Sequence, residues 1–267
     1  MWVSALFIVT IALYLTAWSF ELASVFRPYR GARRVSGLTL AAAACAHLAY
    51  ISLEYYVHRH SPLADLNGSL AALSLGIIVA LLLIERRKKI PSLGIFIIPI
   101  TLVFLLGAAL IRGVAEVPER VASALLQVHI AFNISGLIAF TLAAAAALAY
   151  IVQERLLRKK RIVGAFRQLP SLEVLDSVSA RASQIGFPLL TAGVITGAVF
   201  ITRGESGAFW GSTQTIGILT WIVFACVLVL RLVGGFRGKR AAFGTLIGFA
   251  CGVSVLAAYA IKIGGGI

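Results

Sequence analysis

The chain has 267 residues, of which 60% are hydrophobic and 13% are charged, and its mean hydropathy is +0.97. These values depart too far from the composition of soluble globular domains, so the sequence predicts an integral membrane protein. The formal net charge is +14. Because the basic residues flank apolar runs, where anionic lipid attracts them, membrane lipid is an expected partner and nucleic acid is not.

The cysteine content excludes two kinds of redox or cofactor chemistry. Cys45, Cys226 and Cys251 lie singly within apolar runs, so no disulfide framework and no paired-thiol motif is expected. The sequence has no CxxCH motif either, which excludes covalent c-type haem attachment to this chain.

Eight apolar stretches are long enough to cross a hydrocarbon core, which needs roughly 20 residues per helix. The predicted spans cover approximately residues 2–23, 37–57, 66–84, 93–113, 121–151, 187–202, 212–232 and 241–261. The predicted fold class is therefore an all-α integral membrane protein with eight transmembrane helices. Residues 1–267 are expected to form a single polytopic membrane domain.

Basic residues are concentrated in four of the polar breaks between these spans. Nineteen of the 24 Lys and Arg residues occur there: Arg27, Arg30, Arg33, Arg34, Arg86, Arg87, Lys88, Lys89, Arg155, Arg158, Lys159, Lys160, Arg161, Arg167, Arg181, Arg231, Arg237, Lys239 and Arg240. The positive-inside rule makes these four breaks cytoplasmic and places both termini outside. The other polar segments hold the remaining five basic residues, Arg59, Arg112, Arg120, Arg203 and Lys262, and are then expected to face outward.

The largest cytoplasmic segment separates the fifth and sixth spans. Apolar residues at helical spacing between Leu169 and Ile185 predict a short interfacial helix with Ser171 as its N-cap. Gly186 and Pro188 predict a break before the sixth span. At the inner end of the first span, we expect Glu21 to reach toward the interface beside the basic loop.

Two of the four histidines are predicted to lie at membrane depth. His47 falls near the middle of the second span, and His129 falls in the outer third of the fifth span, one turn before Asn133. An ionisable side chain at this depth indicates a functional site. The alternative is a neutral imidazole that donates one hydrogen bond to a neighbouring helix.

The other two histidines, His58 and His60, lie at the predicted outer end of the second span. They are candidates for cofactor binding, with solvated loop residues as the alternative. His47 and His58 are about 16 Å apart along one helix axis, so they cannot ligate the same metal ion.

Haem is the cofactor best suited to isolated histidines in apolar helices. An imidazole ligates the iron, the spans enclose the macrocycle, and outward arginines such as Arg59, Arg112, Arg120 and Arg203 are available to the propionates. Non-covalent haem b is therefore the predicted cofactor.

Several segments resemble a known family in sequence and in order along the chain. His47 is followed by LAYISL, and the later segments are SLAALS, LLIERRKK, QVHIAFNISGLIAF, LAYIVQERLLRKK, LPSLEVLD, IGFPLLTAGVITGA, GAFW and QTIGILTWIVFACVLVLRLVGGFRGKRAA. Together they resemble the cytochrome c assembly (CcsA-like) family of haem-handling membrane proteins, in particular its HemX-like eight-span branch.

The resemblance implies roles for particular residues. His47 and His129 match histidines that act as haem-iron ligands in the family, although the sequence leaves open whether they share one iron or mark two stations. Trp210 matches the start of the tryptophan-rich segment that presents haem at the outer surface. The resemblance also implies a location in the bacterial cytoplasmic (inner) membrane.

The chain departs from the family pattern at the tryptophan-rich segment. Where the family usually reads close to FWSWDPKQT, residues Phe209 to Thr215 read FWGSTQT, without the second tryptophan or the aspartate. Val229 stands where the family commonly has a second membrane histidine. The predicted function is therefore to hold, relay or export haem b without being a complete cytochrome c synthase, and no enzyme activity is expected.

The sequence is also consistent with two alternative functions. HemX-like proteins are associated with control of the abundance of glutamyl-tRNA reductase, and residues 153–185 would then be the surface that meets a tetrapyrrole-pathway enzyme. The other alternative is a subunit of a cytochrome c assembly complex, with a second assembly protein as the partner.

Overall fold

A computed structural model describes residues 2–26, 31–59, 61–88, 92–110, 124–159, 170–202 and 212–264. Within these ranges the chain forms helices and no strand. The helices are α1 (Trp2–Phe26), α2 (Ala32–His58), α3 (Leu66–Lys88), α4 (Gly94–Leu110), α5 (Ala124–Arg158), α6 (Leu172–Thr202), α7 (Ser212–Leu232) and α8 (Lys239–Gly264). The prediction of an all-α fold is confirmed.

Seven of these described helices are long and apolar enough to cross a membrane, which confirms a multi-span membrane protein. The exception is α4, which has 17 residues and therefore a length of about 25 Å. The predicted fourth span extended to Gly113, but residues 111–123 lie outside the described part of the chain.

Local hydrogen bonds explain where several helices begin and end. The Val174 amide donates to Ser171 Oγ at 3.4 Å, which confirms Ser171 as the N-cap of α6. At the start of α3, the Gly68 amide donates to Asp65 Oδ1 at 2.8 Å. The α2 helix ends where Arg59 adopts a left-handed conformation with φ of 60°.

The structure corrects the prediction for the segment before the sixth span. The predicted interfacial helix and the predicted span are one continuous helix, α6, which has 31 residues and contains Pro188. Proline removes one helical hydrogen bond, but packing against neighbouring helices allows a membrane helix to continue through it. Gly186 is a packing position in this helix instead of a break.

The close packing of α5 against α6 explains why residue 186 is a glycine. A Cβ atom added to Gly186 would lie 3.2 Å from the carbonyl oxygen of Gly136 on α5. A Cβ atom added to Gly136 would lie 3.2 Å from the backbone nitrogen of Leu190. The two backbones therefore touch, as small residues permit between membrane helices.

The central position in the described bundle belongs to α5. It packs against α3, α4, α6 and α8, and residues 143–147, all alanine, are fully or almost fully buried. Alanine lets the neighbouring helices approach closely on several sides at once. Among the N-terminal helices, α1 packs mainly against α2. Buried aliphatic residues of α3 and α4 form much of the hydrophobic core in this half of the chain.

Two charged side chains have roles that differ from the sequence interpretation. Glu21 is only 5% exposed and accepts a hydrogen bond from Ser36 Oγ at 2.8 Å, so the prediction that it reaches the interface was wrong. Arg231, interpreted as a topology signal, has a side chain that is only 6% exposed. Its guanidinium lies 3.4 Å from Asp176 Oδ1 and donates to Ser179 Oγ at 3.2 Å, which joins α7 to α6.

Candidate functional site

His47 lies at the contact between α1 and α2 and is fully buried. Its Nδ1 atom shares a hydrogen bond of 3.0 Å with the hydroxyl group of Tyr14, which is itself fully buried. The ring of Tyr14 meets the imidazole edge-on, with centroids 5.8 Å apart, and the Tyr50 ring lies on another side at 6.1 Å. Helix packing therefore fixes the imidazole through one nitrogen.

The second nitrogen of His47 has no partner in the described structure. Its Nε2 atom is buried and makes no hydrogen bond there. A buried polar atom without a partner is costly in an apolar interior, so such an atom points to a missing ligand. A neutral imidazole nitrogen among aromatic and aliphatic side chains fits an axial haem ligand.

A small cleft is lined by Tyr50, Ile51, Glu54, Tyr55, Pro62, Asp65, Gly68 and Ala71. Tyr50 also packs against the His47 imidazole, which does not itself line the cleft. Neither Tyr14 nor Tyr50 was predicted from the sequence as a neighbour of His47.

His129 lies between α5 and α6 and is partly exposed. Its Nδ1 atom lies 2.8 Å from the carbonyl oxygen of Gly193. Since a carbonyl oxygen only accepts, Nδ1 carries the proton and donates it, which leaves the lone pair on Nε2. Metal-binding histidines are commonly oriented by such a bond from the other ring nitrogen to a backbone carbonyl.

Asn133 is the other polar side chain at this position. Its amide nitrogen donates to the backbone carbonyl oxygen of His129 at 2.7 Å and lies 3.3 Å from Nδ1 and 3.4 Å from Nε2 of the same imidazole. Asn133 therefore stays on the same side of α5 as the imidazole, one turn further along the helix. The sequence analysis noted this neighbour, and the structure confirms that the two side chains are close.

The structure places the two membrane histidines against different helices. His47 is held by Tyr14 of α1, and His129 is held by Gly193 of α6. Over the described ranges, no group of three or more His, Cys, Asp or Glu residues could hold a metal ion. Each candidate site therefore provides one imidazole as a ligand and no cluster of ligands.

The remaining predicted site residues are less closely defined. His58 is exposed and is the last residue of α2. Next to it, the Arg59 guanidinium lies 4.6 Å from the ring centroid of Tyr56. His60 and Trp210 lie outside the described residues, as do Arg112, Arg120 and Arg203.

Comparison with known proteins identifies the family. The family described as "Cytochrome C assembly protein" matches residues 63–266, which include His129 but not His47. The cytochrome c biogenesis protein CcsA of Synechococcus sp. (strain CC9902) is 28% identical over 272 residues, covering 92% of this chain and 87% of the relative. The CcsA protein of Chlorella vulgaris is 29% identical over 263 residues and 83% of each chain.

A shorter match has higher identity. The CcsA protein of Synechococcus elongatus is 40% identical over 83 residues, which are 31% of this chain and 26% of the relative. The long matches and the family match extend over most of the chain, in agreement with its many apolar helices. This chain therefore belongs to the cytochrome c assembly protein family.

Proposed function

We propose that the protein binds haem b non-covalently and holds, relays or exports it during cytochrome c assembly. His47 and His129 are the iron ligands in this proposal. Haem brings an iron atom that accepts an imidazole nitrogen and a macrocycle that favours apolar surroundings. Membership of the cytochrome c assembly family supports this function.

One observation carries the proposal: each membrane histidine is anchored through Nδ1. The partner is the Tyr14 hydroxyl group for His47 and the Gly193 carbonyl group for His129. A hydrogen bond at one ring nitrogen fixes the orientation of an imidazole and leaves the other nitrogen for the metal. The same arrangement at two unrelated helix contacts favours a shared chemical role.

We also propose an orientation in the bacterial cytoplasmic membrane, with both termini outside. The support is the concentration of Lys and Arg in four alternate breaks, which the positive-inside rule assigns to the cytoplasm. In this orientation, the start of α5 with His129 is directed outward. The contact between Arg231 and Asp176 is then at the cytoplasmic side.

The proposal does not include a complete cytochrome c synthase. In the segment from Phe209 to Thr215, the chain lacks the second tryptophan and the aspartate that the family pattern usually has. A shortened segment of this kind suits a protein that binds and passes on haem. In this proposal, thioether formation belongs to a different protein, such as a second assembly protein, and co-purification of such a protein with this chain would support a shared complex.

An absorption spectrum of the purified protein tests haem binding. Protein from haem-replete cells is expected to show a Soret band and a measurable haem-to-protein ratio. His129→Ala and His47→Ala should each lower that ratio, since each removes a proposed ligand, whereas Cys45→Ala, at an exposed position of α2, is the control. Folded wild-type protein without haem would contradict the proposal.

A second candidate function is regulation of glutamyl-tRNA reductase abundance, as proposed for the HemX-like branch. The favouring observation is the start of α6, where Glu173, Val174 and Arg181 are exposed. Alanine at these three positions should alter reductase abundance in cells while the haem content of the purified protein stays constant. Unchanged reductase abundance would eliminate this candidate.

A further inference from the structure

Two glycines on α6 lie directly against the polar side chains of α5. Gly193 and Gly197 are four residues apart and therefore share one face of the helix. A Cβ atom added to Gly197 would lie 2.7 Å from Cε1 and 2.9 Å from Nδ1 of His129. A Cβ atom added to Gly193 would lie 2.7 Å from the Asn133 amide nitrogen. These distances are too short for any residue other than glycine without movement of the neighbouring side chain.

We propose that Gly193, Gly197 and Asn133 form a positioning socket for His129, which holds its imidazole in the tautomer with the proton on Nδ1 and the lone pair on Nε2. This inference rests on the proposed haem-binding function and adds the residues that prepare the ligand. The three are positioning residues, since they act through His129.

The hydrogen bonds of the socket determine the tautomer. The carbonyl oxygen of Gly193 accepts from Nδ1 at 2.8 Å, so the proton resides on Nδ1. The Asn133 amide donates one hydrogen to the His129 backbone carbonyl at 2.7 Å. The same amide nitrogen is 3.3 Å from Nδ1 and 3.4 Å from Nε2, so Asn133 packs against the imidazole ring, and its amide would have to give way for Nε2 to bind a metal.

Packing alone does not account for both glycines. Elsewhere in the contact between α5 and α6, a Cβ added to Gly136 would meet only backbone atoms, and one added to Gly186 would meet Phe140, Ala139 and the Gly136 carbonyl oxygen. At Gly197, the three nearest atoms to an added Cβ all belong to the His129 ring. At Gly193, they all belong to the Asn133 side chain. These two glycines therefore make room for particular side chains.

The first test compares three glycine-to-alanine variants by haem affinity and absorption spectrum. Gly197→Ala should displace the imidazole and weaken haem binding by roughly tenfold or more, the usual effect of losing an outer partner of a metal ligand. Gly136→Ala is the packing control, and Gly217→Ala is the neutral control because an added Cβ there has no atom within 4 Å. Equal losses of haem affinity in Gly197→Ala and Gly136→Ala would contradict the proposed socket.

A second variant keeps the test decisive if Gly197→Ala folds poorly. Asn133→Ala shortens a side chain and introduces no clash, yet it removes the donor near Nε2. It should retain folded protein and shift the absorption maximum of the bound haem. An unchanged spectrum in Asn133→Ala would also overturn the inference.

A third measurement separates the socket from haem binding itself. In haem-free protein labelled with ¹⁵N at histidine, nuclear magnetic resonance should show His129 protonated at Nδ1, and Gly197→Ala should change that signal. If wild-type protein binds no haem but His129 has this tautomer, the proposed function fails and the socket geometry stands. If haem binds while His129 is protonated at Nε2, the socket fails and the function stands.

Discussion

The contacts around His47 and His129 differ in how much space they leave at the imidazole. His47 is enclosed by Tyr14 and Tyr50 and has no exposed surface. His129 rests in a recess formed by glycines of α6 and remains partly exposed. The His47 site is therefore enclosed by large aromatic rings, whereas the His129 imidazole fits between two closely packed helices because Gly197 has no side chain.

If the proposed function is correct, this difference bears on which histidine haem reaches first. At His129 the side chain beside Nε2 is the Asn133 amide, at 3.4 Å, whereas at His47 a ligand reaches the buried Nε2 only if surrounding side chains move. The family match begins at residue 63 and includes His129. The match to the CcsA protein of Synechococcus sp. (strain CC9902) covers 92% of this chain and therefore extends over both histidines.

The largest expected loss of stability comes from removal of the Tyr14 ring, which packs against His47. Tyr14→Ala leaves a cavity at a fully buried position and should lower the free energy of unfolding by about 3 kcal/mol or more. Unfolding in a detergent titration measures the loss. Tyr55→Ala, at a residue that is 55% exposed, is the control. Equal losses of stability in both variants would show that the Tyr14 ring contributes no more to packing than an exposed ring does.

A smaller effect is expected from filling the contact between α5 and α6. Gly186→Leu forces a side chain against the Gly136 carbonyl and should lower the free energy of unfolding by about 2 kcal/mol. Gly37→Leu is the matched control, since an added Cβ there has no atom within 4 Å. A stable Gly186→Leu variant in the same titration would show that the two backbones do not need to touch.

The smallest of the three effects concerns a single hydrogen bond. Tyr14→Phe retains the ring but removes the hydroxyl partner of His47 Nδ1, and about 1 kcal/mol of stability should be lost. The change should also loosen the imidazole, seen as a broadened histidine resonance in haem-free protein. Loss of ring order without loss of stability would mean that Tyr14 orients His47 more than it stabilises the fold.

The sequence was sufficient to predict the apolar helices because hydropathy alone reports them. The predicted span at 212–232 coincides with α7, and the predicted third span begins at Leu66, as α3 does. The predicted helix break before the sixth span was wrong, because Gly186 and Pro188 lie within the continuous helix α6. In a bundle, the partner helix decides whether glycine and proline end a helix, and that partner was unknown from sequence.

The two histidines were predicted correctly as residues of apolar helices, but their partners were not predicted. Tyr14 is 33 residues from His47, and Gly193 is 64 residues from His129. Sequence periodicity does not specify which faces of distant helices meet. One signal was present, because Gly193 and Gly197 have the spacing of small residues that bring membrane helices together.

The ion pair between Asp176 and Arg231 has a consequence for synthesis of the chain. Asp176 is made 55 residues before Arg231, so the carboxylate of α6 enters the forming bundle before its guanidinium partner exists. The carboxylate therefore gains this partner only after α7 has been made, so this link between α6 and α7 forms late in the synthesis of the chain.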